Sequence, residues 1–85
     1  MTLILKPWGY ENIWAHTNDY VGKILVIKPG QKLSRQYHVK KDETIYVLKG
    51  TLTLEIGCDD EIQTMELEKS DTYHVEPETI HRFCN

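Results

Sequence analysis

Residues 30–50 read GQKLSRQYHVKKDETIYVLKG, and one spacing in them governs the whole reading: Gly30, then Gln36 and His38, then Glu43, then Gly50. Gln36 and His38 stand two apart in a stretch of strand character, so the two-residue period of a strand points both side chains to one face. A short charged turn, Lys40 to Asp42, precedes Glu43, which opens the next strand and brings a carboxylate beside them. His81 arrives from the last predicted strand, after a turn built around Pro77. An amide carbonyl, two neutral imidazoles and a carboxylate make an N/O ligand set suited to a divalent ion, zinc first and Mn, Fe, Co or Ni as alternatives. Cu(I) and iron–sulfur clusters call for softer donors. Taken alone, a Gln and a His two apart are more often a half-buried polar pair than ligands; the wider spacing shifts that weight.

Outward from this segment the chain is a series of short runs rich in Val, Ile, Thr and Tyr. Strands are predicted at Tyr10 to His16, Tyr20 to Lys28, Lys32 to Val39, Glu43 to Lys49, Thr51 to Ile56, Glu61 to Glu68, Thr72 to Val75 and Ile80 to Phe83. Turn chemistry separates them at Asn18-Asp19, Pro29-Gly30, Gly50, Gly57 to Asp60, Ser70-Asp71 and Pro77. Thr51 to Ile56 alternates, with Leu52, Leu54 and Ile56 on one face and Thr51, Thr53 and Glu55 on the other, which describes a sheet with one wet side. No stretch holds a helical apolar period, so the class is all-β, and many short strands in so few residues favour a small closed barrel or a sandwich.

With 85 residues there is room for one modest core, and a single domain over 1–85 is expected. Ten Lys and Arg stand against 13 Asp and Glu, giving a formal charge of -3, and no segment joins basic residues with aromatics as a nucleic-acid surface would. The longest apolar run is far too short to span a membrane and no charged-then-apolar leader opens the chain, so a cytoplasmic protein without membrane partners is expected. Cys58 and Cys84 are too few for a disulfide framework and lack the paired spacing of a thiolate zinc site; they read as ordinary thiols.

The run Gly30-x5-Gln36-x-His38-x4-Glu43-x6-Gly50 resembles the first motif of the cupin superfamily, in which a glycine, two ligands, a Glu and a closing glycine recur at these intervals. Its one departure is Gln36, where most cupins carry a His. Ser70-x5-Glu76-x-Glu78-x2-His81-x3-Asn85 matches the spacing of the second motif, but in residue type only at His81 and Asn85; Ser70 and Glu78 stand where that motif has glycines. Together with Lys6-Pro7-Trp8-Gly9-Tyr10, Leu33-Ser34 and His81-Arg82, these segments are similar to the cupin domain of mannose-6-phosphate isomerases, particularly the type II enzymes often fused to a mannose-1-phosphate guanylyltransferase. The resemblance implies a small antiparallel cupin barrel, or jelly roll, and makes Gln36 a family ligand. Nothing in the chain resembles the guanylyltransferase part, since it has no Gly-rich phosphate loop.

An aldose–ketose isomerase needs a Lewis acid, a positioned base and cations for a phosphate. No base stands out: Glu43 is committed to the ion, the facing of His74 and Glu76 is open, and His16 has no evident neighbour. Arg35 and Arg82 each adjoin a proposed ligand and therefore face the other way. Lys32 shares the parity of Gln36 and His38, and Lys49 that of Glu43, so these two are the candidate substrate-binding cations, although solvated lysines at strand ends are common. Ile45, Val47 and Phe83 share faces with the ligands and form the expected apolar wall. Two functions therefore stand together: a metal-dependent sugar-phosphate isomerase, and a non-catalytic cupin that binds a metal and a sugar or other small ligand as a sensor or accessory subunit. A non-haem iron oxygenase is the third reading, and Gln36 argues against it. Tyr37, Tyr46 and Leu48 on an outer face, an edge left open after Asn85, and Leu3-Ile4-Leu5 as a strand to add across a two-fold axis point to a homodimer.

Overall fold

The computed structural model describes residues 2–57 and 61–85, with Cys58 and most of the turn expected at 57–60 outside the described residues. Eight strands follow one another: β1 (Thr2–Lys6), β2 (Gly9–His16), β3 (Val21–Ile27), β4 (Glu43–Tyr46), β5 (Leu52–Ile56), β6 (Gln63–Leu67), β7 (Thr72–Val75) and β8 (His81–Cys84). The described residues include no α-helix, and none long and apolar enough to cross a membrane. The chain is all-β and of cupin type, with its ladders distributed over three antiparallel sheets, ordered β1-β2-β3, β4-β7 and β6-β5-β8. It divides into two compact units, Met1–Gln31 and Lys32–Asn85.

In the first unit, β1 pairs with β2 of its own chain, Leu3 opposite Asn12 and Leu5 opposite Tyr10. Leu3-Ile4-Leu5 is therefore the edge strand of an intramolecular sheet. The turn at Pro7 and Trp8 is short enough to fold it back, which a reading of Leu3 to Leu5 as a free strand overlooks. Tyr10 in turn faces Val26 on β3. One face of this sheet thus gathers Leu3, Leu5, Tyr10 and Val26, all exposed, without a charged side chain among them. A register shift between Ile13 and Ala15 frees Trp14, whose ring lies over Gly22 where any Cβ would collide with it. Lys23 and Glu11 form an ion pair at 3.6 Å.

In the second unit β5 is the central strand, with β6 on one side and β8 on the other. Its alternation is as the sequence predicts: Leu54 is 0% exposed and faces Phe83, while Glu55 looks the other way and faces Arg82. Leu33, Val47, Leu67, Val75 and Phe83 complete the buried apolar set. In β4, Glu43 lies opposite Val75 and Ile45 opposite Tyr73, so Glu43, Ile45 and Val47 present one face inward and Tyr46 and Leu48 stay exposed outside.

The predicted strand at Lys32 to Val39 is not a strand. Its strand pairing among the described residues is two isolated bridges, Lys32 opposite Cys84 and Gln36 opposite His81. The pairing slips by one residue between them, so Lys32 shares a side with Cys84, and the strict parity that grouped it with Gln36 and His38 fails. Leu33, buried at 6%, takes the inward place that strict alternation denies it. Burying that leucine while keeping Gln36 inward requires one residue too many for a regular ladder.

Candidate metal centre

His81 opens β8 and is 2% exposed. Its Nδ1 lies 2.8 Å from the Thr79 carbonyl oxygen. A carbonyl only accepts, so Nδ1 carries the hydrogen and, in the neutral ring, Nε2 is left with a lone pair. That nitrogen points at Glu43 Oε1, 3.5 Å away, and both atoms are buried without a hydrogen-bond partner. Two buried acceptors facing each other would each forfeit a hydrogen bond, a cost of about 1–3 kcal/mol apiece. A cation between them removes both deficits.

His38 Nε2 joins the pair, 3.8 Å from the same Glu43 oxygen and 3.0 Å from Gln36 Oε1. One donor atom each from His38, Glu43 and His81 lies within 4.8 Å of the others, and Gln36 is added through His38. Gln36 and His81 are directly opposed, exchanging both backbone hydrogen bonds, Gln36 N to His81 O at 2.8 Å and His81 N to Gln36 O at 3.0 Å. Such opposed residues carry their side chains on one face. All four sequence-derived residues are therefore together. Phe83 lies beside the His81 ring with centroids 5.6 Å apart, forming part of the expected apolar wall.

The two lysines are placed differently. Lys32 is exposed and faces the side of Cys84; Lys49 is exposed in the bend before Gly50. Lys41, not singled out by the sequence, sits 3.7 Å from Glu43 Oε2 and engages the oxygen that is turned away from the imidazoles. Its signal was available, since Lys41 stands two residues before Glu43. Thr79 contributes through its backbone, so no side-chain signal could have found it. His74 turns outward to hydrogen-bond Asp42, and Glu76 and His16 are exposed.

Beyond the second-motif spacing lies its backbone. Ser70 and Glu78 have φ of 76° and 67°, the left-handed region that the motif's glycines would occupy at no cost. Glu78 N donates to the His38 carbonyl at 2.6 Å, so this bent turn also holds the His38 backbone. Gly30 and Gly50 of the first motif, with φ of 79° and 81°, do meet that need with glycine.

Comparison with known proteins shows the family. Residues 2–85 match the family described as mannose-6-phosphate isomerase C-terminal. The chain belongs to that family. The match runs through both compact units of the chain. Over 82 residues it is 29% identical to the mannose-1-phosphate guanylyltransferase RfbM of Salmonella typhimurium, covering 96% of this chain and 16% of that protein. It is 28% identical to the alginate biosynthesis protein AlgA of Pseudomonas aeruginosa, with the same coverage of each. The chain thus spans about a sixth of the length of these curated relatives. No solved structure matches it.

Proposed function

We propose that this chain holds one divalent metal ion on Gln36, His38, Glu43 and His81, and presents it to the oxygens of a sugar phosphate in a metal-dependent aldose–ketose isomerisation. The observation that carries the reading is the pair of buried, unpartnered acceptors Glu43 Oε1 and His81 Nε2, 3.5 Å apart. Nitrogen and oxygen donors of this kind suit zinc, with Mn, Fe, Co or Ni as alternatives. When bound, such an ion polarises carbonyl and hydroxyl oxygens as a Lewis acid. The chain's own residues prepare the place. The Thr79 carbonyl fixes the His81 tautomer, Lys41 compensates the outer carboxylate oxygen, and Phe83 keeps one wall apolar. The sugar-phosphate class is supported by the family's description and by the name of RfbM, which specifies mannose 1-phosphate for that protein.

A second reading, a metal- and ligand-binding domain without turnover of its own, draws on a specific observation. His74, Glu76 and Glu78, the acid–base residues just before the last strand, are all exposed, His74 bonding to Asp42. Two measurements separate these readings. Metal content of the purified chain, by elemental analysis, should be one divalent ion per chain and should vanish in His38→Ala; unchanged metal in that variant overturns the site. Conversion of mannose 6-phosphate to fructose 6-phosphate by the loaded protein supports the isomerase, and metal without turnover supports the binding domain.

A further inference from the structure

We propose that Glu55 is a positioning residue for the metal centre, acting from the opposite side of the sheet through Arg35 and Arg82. The proposal rests on the metal-binding reading above. Arg35 immediately precedes Gln36 and Arg82 immediately follows His81, so each guanidinium projects away from the ligand beside it. Both reach the same carboxylate. Arg35 donates to Glu55 Oε1 at 2.9 Å and to the Gly57 carbonyl at 3.1 Å, and Arg82 stands 4.0 Å from that same Oε1. The Cys84 thiol donates to the other oxygen, Oε2, at 3.7 Å.

The segment that carries Gln36 needs such a tie. It has no ladder of its own, and its backbone meets β8 at isolated bridges, through the Gln36–His81 exchange and through Leu33 N donating to Phe83 O at 3.0 Å. Arg35 adds bonds from that segment to β5 and to the residue just beyond it, and β5 is paired along its length with β8. Glu55 therefore connects the irregular segment to the strand bearing His81 through one central acceptor. Arg82 Nε is buried without a hydrogen-bond partner, and Glu55 is the carboxylate paired with this guanidinium, 4.0 Å from Nη1. Remove the carboxylate and two part-buried cations face each other uncompensated. Their repulsion would move Arg35, and Gln36 with it.

The test is titration of Co(II) into the metal-free full chain, at a temperature where circular dichroism shows every variant folded. Glu55→Ala should weaken the Co(II) Kd by about tenfold or more, the range for losing a residue that orients a ligand, and should alter the visible spectrum of the bound ion. Glu55→Gln keeps an acceptor oxygen for Arg35 and should recover part of both. Glu66→Ala removes the same charge from the same face, opposite Thr53, and should bind as the parent does. Parent-like affinity in Glu55→Ala, or an equal loss in Glu66→Ala, would overturn the proposal. Should Glu55→Ala not fold, Glu55→Gln decides: an intermediate loss with a changed spectrum supports positioning, and parent-like binding overturns it. His38→Ala run in parallel separates the two levels. If it retains Co(II), the metal reading itself fails; if it loses Co(II) while the Glu55 variants do not, only the positioning role fails.

Discussion

At the scale of single residues, Ser70 and Glu78 stand where the second motif has glycines. Each holds a left-handed backbone with a side chain attached, at φ of 76° and 67°. An L-residue there costs roughly 1 kcal/mol relative to glycine, partly offset by glycine's greater freedom in the unfolded chain. Glu78→Gly and Ser70→Gly should each raise stability by about 0.5–1 kcal/mol in urea denaturation; destabilisation by either would show that its side chain contributes more than its backbone loses. Glu78→Gly should also leave metal content intact, because the Glu78 contact to His38 is made by the main-chain N–H. Gln36 illustrates the converse case. Judged as a departure from the usual cupin His it looks like a defect, yet its carbonyl oxygen lies 3.0 Å from His38 Nε2, within the proposed ligand set.

Among elements, β5 matters most because it has two functional faces. Leu54 and Ile56 line the side shared with Phe83 and His81, and Glu55 gathers Arg35, Arg82 and Cys84 on the other. Burial pushes the Glu55 carboxyl up, but the Arg35 hydrogen bond and the charges of Arg35 and Arg82 outweigh it and leave the group below its ordinary value of 4.5. A carboxyl more acidic in the folded than in the unfolded chain stabilises the fold fully above 4.5 and loses that contribution as pH falls through the lowered folded value. The Cys84 thiol behaves oppositely: burial, then the Glu55 charge and hydrogen bond, raise it above 9.0. Its contribution is complete below 9.0 and is lost as pH rises through the raised folded value. Urea midpoints across pH should therefore fall at both extremes. In Glu55→Gln the acid limb should be shallower, and an unchanged limb would remove Glu55 from the account.

Across the whole molecule, binding and folding are linked. An ion held only by the folded chain raises stability by RT ln(1 + [L]/Kd), about 2.7 kcal/mol at a hundredfold excess over Kd. The melting temperature should accordingly drop when a chelator is added to the parent and stay constant when it is added to His38→Ala; equal melting with and without chelator in the parent would contradict the metal site. The charge-free face of Leu3, Leu5, Tyr10 and Val26 bears on assembly. Contiguous exposed apolar surface of this kind marks interaction sites, so light scattering at micromolar concentration is expected to report a dimer. A stable monomer would refute it.

What could be read from the chain by itself was local and periodic: most of the strands and the wet and dry faces of Leu52 to Ile56, while the grouping of Gln36, His38, Glu43 and His81 came from motif spacing and the cupin resemblance. Short-range sterics, turn chemistry and the two-residue period act within a few positions, so the sequence states them directly. The tertiary structure decided what depends on partners far along the chain. It replaced the strand at Lys32 to Val39 with two bridges, because burying Leu33 and keeping Gln36 inward together demand an irregular register, and this turned Lys32 to the side of Cys84. It joined β1 to β2 of its own chain. It also placed Thr79 against His81, Lys41 against Glu43 and Glu55 against Arg35. Their roles rest on a carbonyl direction, a single ion pair and a contact across 20 residues, none of which leaves a periodic trace in the sequence.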